Sequence, residues 1–329
     1  VVEGVMMRAP RATSVAVRRT DGSVVVRLRS ARRMDSRMPW MGRPGLRGVA
    51  ILVETMVDGM SALHFAASQV APEETDGKPL TTGAIVATLA FSMAFGFFMF
   101  AFLPHLLTWL LGLATGSESL AGGRDVVFHL VDGVVKLALF VGFVFAISKM
   151  PDIRRVFQFH GAEHQAVHAF EHDQPLEVES LAGHPTAHAR CGTAFLMTVI
   201  AVSILVFAGV FPLLPLVSEI SALNQVFYIA VKIPLVLPIA GLSYEVIRLS
   251  ARPGMGFLGV AISAPGVLVQ RITTQTPDSL QQEIAIVALE TALHPEGLVE
   301  DRAERLLEFK DYTEFRQWCH AGFPAEVGA

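Results

Sequence analysis

Residues 153–193, IRRVFQFHGAEHQAVHAFEHDQPLEVESLAGHPTAHARCGT, hold six of the chain's 11 histidines: His160, His164, His168, His172, His184 and His188. Glu163, Glu171 and Cys191 stand among them. Imidazole, carboxylate and thiolate are the side chains that bind zinc, and thiolate with neutral imidazole favours zinc over magnesium or calcium. The spacing adds to this. At ~100° of rotation per residue, a helix places His164 about 40° and His168 about 80° around from His160. On the same wheel Glu171 falls near ~20°, His172 near ~120° and Glu163 about 60° the other way. Histidines four apart leave adjacent turns on one face and can hold one ion together.

His160-Gly-Ala-Glu163-His164 also follows H-x-x-E-H, the order in which inverzincin peptidases place two zinc-binding histidines and a water-activating glutamate. The downstream glutamate ligand of those peptidases has no convincing counterpart here, so that family is not assigned. His188 and Cys191 are the candidates for further ligands, while His184 suits loop solvation. Four protein ligands close a site and make it structural; three leave a position for water. We therefore expect a zinc ion on His160, His164 and either His188 or Cys191. Glu163 is the expected general base, and Arg155 or Arg190 the group that meets an anionic intermediate or substrate.

The rest of the chain must place this segment, and its composition says where. Residues are 52% hydrophobic and 17% charged, with mean hydropathy +0.49, values that suit a polytopic membrane protein with soluble parts attached. A net charge of −4 gives nothing global to attract nucleic acid. Two cysteines, Cys191 and Cys319, make no disulfide framework and fit a reducing compartment. No cleavable signal peptide is visible, and because the chain opens on Val rather than Met, residues are expected upstream.

Four stretches are long and apolar enough to span a bilayer, at about 82–112, 126–148, 194–217 and 226–247. Lys149, Arg154, Arg155 and Arg190 follow the second, and Arg248 and Arg252 follow the fourth. The other two connections hold only Arg124. The positive-inside rule then puts the histidine segment and both termini in the cytoplasm. Within the spans, Asp132 and Lys136 are spaced to pair on one helix face, and Lys232 lies near Pro234 and Pro238.

The fold class expected is mainly α: four transmembrane helices, a small N-terminal β unit and a helical cytoplasmic C-terminal region. Strand patterns at Ser14–Arg19 and Val24–Leu28 flank Asp21-Gly22, a hairpin turn signal. This unit and its linker occupy 1–47. Its arginines 8, 11, 18, 19, 27, 29, 32, 33 and 37 suit a face near anionic lipid headgroups. Residues 48–80 read as an interfacial or bundle-packed helix and a polar loop, because Glu54, Asp58 and His64 interrupt the apolar pattern. Transmembrane helices 1 and 2 fill 81–148, the His/Glu/Cys-rich loop 149–193, and helices 3 and 4 fill 194–250. In 251–329, Val267–Ile272 suits a strand, and helices are expected at Ser279–Leu293, Val299–Phe309 and Asp311–Cys319.

Several of these stretches together resemble a known family, the YqhQ-like bacterial membrane proteins, a domain-of-unknown-function family described as predicted metal-dependent enzymes. The residues concerned are Glu3-Gly-Val-Met-Met-Arg8, Arg155-Val-Phe-Gln-Phe-His160-Gly-Ala-Glu163-His164 and Arg190-Cys191-Gly-Thr193. Pro265-Gly266, Gln270-Arg271-Ile-Thr-Thr274 and Pro277-Asp278 complete the set. Ala189 stands where the family typically has proline. The resemblance implies a four-span protein of the bacterial cytoplasmic (inner) membrane with a metal site, and supplies no reaction. The leading expectation is a zinc hydrolase at the cytoplasmic face, with membrane lipid around it. The alternatives are a membrane assembly protein with a structural metal, and a small ion or metal transporter using Asp132, Lys136 and Lys232.

Overall fold

Asp21 accepts hydrogen bonds from the Ser23 backbone N–H (2.9 Å) and hydroxyl (2.7 Å), and Gly22 takes φ +90°, which a side chain would disfavour. That turn joins β2 (Ala12–Arg18) to β3 (Val24–Ser30) in the register Val17↔Val25. β1 (Gly4–Arg8) flanks β2, giving the antiparallel order β1-β2-β3-β4 once β4 (Glu304–Phe309) is added from the far end of the chain. In this computed structural model the described residues are 1–31, 38–70, 82–189, 191–250, 252, 254–295 and 304–324. Arg32, Arg33, Arg37, the polar stretch 71–80 and Arg190 lie outside them.

Both faces of the sheet are covered. Strand residues alternate, so Ala12, Ala16, Val24, Val26 and Leu28 point one way and Val15, Val17 and Val25 the other. The first set packs on α9 (Ser279–Leu293), whose residues Ile284 to Leu289 are all buried. The second set receives Ala62, Phe65 and Ala66 from α1 (Leu46–Val70). Each large apolar side chain buried this way contributes ~1.5–3 kcal/mol. α9 starts at a reciprocal cap: Asp278 accepts from the Gln281 N–H (2.8 Å) and Gln281 from the Asp278 N–H (2.9 Å). Its other side lies on α5 (Pro151–Glu171), through Phe159, Ala162, Ala166 and Ala169.

The apolar part is a bundle. α2 (Thr82–Phe97) continues through a π-helical turn (Phe98–Phe102) into α3 (Leu103–Thr115). α4 (Val126–Ile147), α6 (Gly192–Val210), α7 (Ser221–Ser250) and α8 (Gly256–Thr273) complete it, and α10 (Tyr312–His320) closes the chain on the sheet unit. Asp132 of α4 meets both Lys232 (3.1 Å) and Lys136 (3.6 Å), all three buried in the bundle. Removing one partner from such a buried set costs ~3–5 kcal/mol, so this trio ties α4 to α7. α8 lies close on α6: a Cβ on Gly266 would sit 2.4 Å from Ala194 Cα.

Three expectations are corrected. Six described helices, not four, are long and apolar enough to cross a membrane; α1 and α8 are the additions. In α1, Arg8 of β1 pairs with Glu54 (2.5 Å) and faces Asp58 (3.8 Å), so the charges that seemed to interrupt the helix bind the sheet. α8 runs through Pro265 and Gly266, so Val267–Ile272 is helical rather than a strand. Residues Glu304–Phe309 form β4 instead of a helix, because Leu307 and Phe309, two apart, enter the core while the backbone pairs with β3.

Candidate metal centre

α5 begins with Pro151 at its first turn and Asp152 beside it, both favourable at a helix N-terminus. Its small and apolar residues fix one side on α9. The histidines then stand against residues 184–188, Cys191 and the end of α8. Gly161 allows this approach: a Cβ there would lie 2.1 Å from the Gln275 carbonyl oxygen. The Gln275 N–H in turn donates to the Phe157 carbonyl (2.9 Å), so the strand of chain leaving α8 is laid along α5. Gln270 of α8 holds the other side of the cleft. It accepts from the His188 N–H (2.7 Å) and donates to the His188 carbonyl (2.9 Å).

His160, His164 and Cys191 converge, each offering one ligand atom within 4.8 Å of the others. His160 turns Nδ1 to the Thr273 carbonyl (2.9 Å) and Nε2 to Cys191 Sγ (3.1 Å). His164 turns Nδ1 to the Thr186 carbonyl (2.5 Å). A backbone carbonyl on the outer nitrogen sets the tautomer and leaves the inner nitrogen's lone pair for an ion, the arrangement usual around metal-bound histidines. Cys191 caps α6, with the Thr193 hydroxyl donating to its sulfur (3.3 Å).

Burial alone would raise the Cys191 thiol, but hydrogen bonds from His160 and His164, the His160 charge and Thr193 bring it down to about 5. Burial likewise pushes the His160 imidazole down, and its hydrogen bond to Cys191, the thiolate charge, Glu163 and the Thr273 carbonyl more than reverse this, to about 9. In the metal-free protein the pair is therefore thiolate and imidazolium at neutral pH. Glu163 lies beside both imidazoles; burial pushes its carboxyl up, against the pull of His160 and His164. Two imidazoles and a thiolate form a donor set that fits zinc, with a fourth position left over.

The other expected residues lie elsewhere. His188 is buried outside this trio and contacts Glu171, Nε2 to Oε2 at 3.3 Å. Arg155 is engaged with Glu3 through two hydrogen bonds, Nη2 to Oε2 being 2.7 Å and Nε bonding Oε1, so it fastens α5 to the entry of β1. Arg190 is outside the described residues. His184 bonds Gln174 Oε1 (2.8 Å) at the surface. Sequence reasoning missed the Thr186 and Thr273 carbonyls and the Gln270 clasp. Backbone acceptors have no residue signature, and Gln270 showed only as part of Gln270-Arg271-Ile-Thr-Thr274.

The chain is 30% identical over 318 residues to "Uncharacterized protein YqhQ" of Bacillus subtilis (strain 168), covering 91% of this chain and 92% of that protein. No solved structure matches it. The family model described as "Protein of unknown function (DUF1385)" matches residues 43–295, a span that takes in α1 through α9 and every histidine of the cluster, and the chain belongs to that YqhQ-like family.

Proposed function

We propose that the protein is a zinc-dependent hydrolase working at the cytoplasmic face of the bacterial inner membrane. The observation that carries this is the convergence of His160, His164 and Cys191 with both histidine Nδ1 atoms held by backbone carbonyls. When bound, zinc supplies an acidified water and a polarising charge. Glu163, adjacent in sequence to His164, would be the base that takes a proton from that water and gives it to the leaving group. Burial raises its carboxyl above the ordinary carboxylate range, which favours its returning a proton as well as taking one. Arg155 is committed to Glu3, so its part is to position α5, and Arg190, next to Cys191 in sequence, would be the group that meets an anionic substrate.

Chain parity supports four crossings. The sheet precedes α1, and α9 follows α8, yet both pack on α5, which lies between α4 and α6. If all six apolar helices crossed, α5 would be on the opposite side of the membrane from the sheet and α9. Crossings by α2–α3, α4, α6 and α7 alone leave all of them on one side. The basic residues Lys149, Arg154, Arg155, Arg248 and Arg252 fall on that side and support its being cytoplasmic. α1 and α8 then lie along the bundle without traversing it.

Purified protein is expected to carry about one zinc per chain at the buried trio, lost in the His160→Ala/His164→Ala variant. Unchanged metal in that variant would remove the reading. Glu163→Gln is expected to keep zinc and fold while losing cellular function. A second reading, a structural metal in a membrane assembly protein, is favoured by the same geometry, because the trio and Thr273 join α5, α6 and α8. Full function in Glu163→Gln would select it.

A further inference from the structure

One turn past the buried trio, α5 displays a second ligand group. His168, Glu171 and His188 each place a ligand atom within 4.8 Å of the others. Two come from α5 at i and i+3, which share a helix face. The third comes from the loop before α6, where Gln270 grips its backbone on both sides. His188 is thus presented by the fold and not by a mobile loop, with its ring buried.

The chemistry of the three groups fits an ion. His168 Nε2 faces the Ala187 carbonyl (2.9 Å), so its Nδ1 is left as an acceptor, the same tautomer logic as in the first trio. His188 Nε2 and Glu171 Oε2, 3.3 Å apart, stand where two ligand atoms of one first-row ion would be. The ring centroids of His168 and His188 are 4.7 Å apart, and those of His164 and His188 are 5.7 Å apart. His188 therefore forms a wall common to both groups. The two differ in access: no member of the first group is exposed, whereas Glu171 of the second is open to solvent.

We propose that α5 carries a second divalent-metal site, made by His168, Glu171 and His188, next to the buried His160/His164/Cys191 site, and that it exchanges its ion with solvent more readily. Two imidazoles and one carboxylate suit zinc or another divalent first-row ion, with positions open for water or substrate. A second cation there would add positive charge to the cleft and so favour an anionic group, such as a phosphate or carboxylate. This use rests on the hydrolase reading; the ligand set does not.

Cobalt(II) separates the sites, because only the buried one contains sulfur. Titration of metal-free protein is expected to bind two equivalents, with the thiolate-to-cobalt band complete after one. The variants Glu171→Gln and His168→Ala/Glu171→Gln are expected to bind one equivalent with that band intact. Cys191→Ser is expected to lose the band and keep the second equivalent. Saturation of the wild type at one equivalent with a full thiolate band would overturn the second site, leaving a plain Glu171–His188 pair. So would two equivalents retained in both Glu171 variants. One equivalent without a thiolate band, abolished by Glu171→Gln, would instead uphold this site and overturn the buried one.

Discussion

At the scale of single residues, the most informative pair is Cys191 and His160. Their 3.1 Å contact moves the proton from sulfur to imidazole, so the metal-free protein holds a thiolate down to about pH 5 and an imidazolium up to about pH 9. The sign follows. A depressed thiol loses its reactive form only as pH falls through its lowered pKa. Alkylation of Cys191 in metal-free protein is therefore expected to show a midpoint near pH 5. In His160→Ala that midpoint moves up toward the ordinary ~8.5. Cys319 is an internal control, since burial pushes its thiol up to about 12 and it stays unlabelled at neutral pH. A wild-type midpoint near the ordinary thiol value would show that the pair does not share its proton as the geometry indicates. Residue types and spacing identified His160, His164, Glu163 and Cys191 as a chemical group. They did not separate His188 from it, because His188 and Cys191 are three apart in sequence while their side chains face different turns of α5.

At the scale of elements, the centre depends on how closely α5, residues 184–188, Cys191 and the end of α8 approach. Gly161 is the narrowest point, with the Gln275 carbonyl where a Cβ would be. Gly161→Ala must push the chain leaving α8 away from α5, and with it Thr273, the carbonyl that orients His160. The expected result is a loss of ~1–3 kcal/mol of stability, typical of overpacking. Zinc affinity should fall by about tenfold or more, as when a supporting hydrogen bond to a ligand is disturbed. Thermal unfolding and competition with a chelator read the two effects. Unchanged affinity would mean that the α8 end does not orient the site. The helix carrying the histidines was legible from Pro151 and Asp152 at its start and from the four-residue histidine spacing. The partners of that helix were not. Val267–Ile272 suited a strand, and the structure instead places it in a helix that runs through Pro265 and Gly266 and packs on Ala194.

At the scale of the molecule, the sheet, α5, α9 and α10 form one unit on one side of the apolar bundle. Its strands come from residues 4–30 and 304–309, and its histidine-bearing helix from between them. The proposed four crossings predict a definite labelling pattern. In a Cys191→Ser/Cys319→Ser background, Gln174→Cys and Ser279→Cys should react with an impermeant maleimide from the cytoplasmic side. Glu118→Cys and Glu219→Cys should react from the opposite side; all four positions are exposed. Labelling of positions 174 and 279 from different sides would rule out the shared unit.

The sequence by itself determined the apolar stretches, the hairpin at Asp21-Gly22 and the ligand chemistry of residues 160–191. These depend on local composition, turn preference and spacing along one helix, which adjacent residues encode. The tertiary structure decided the rest. Pairing of Glu304–Phe309 with β3, the docking of α1 on the sheet and the sorting of histidines into two groups all join residues far apart in the chain. Such contacts depend on which apolar faces meet and where backbone carbonyls land. Neither is written in any one stretch of residues.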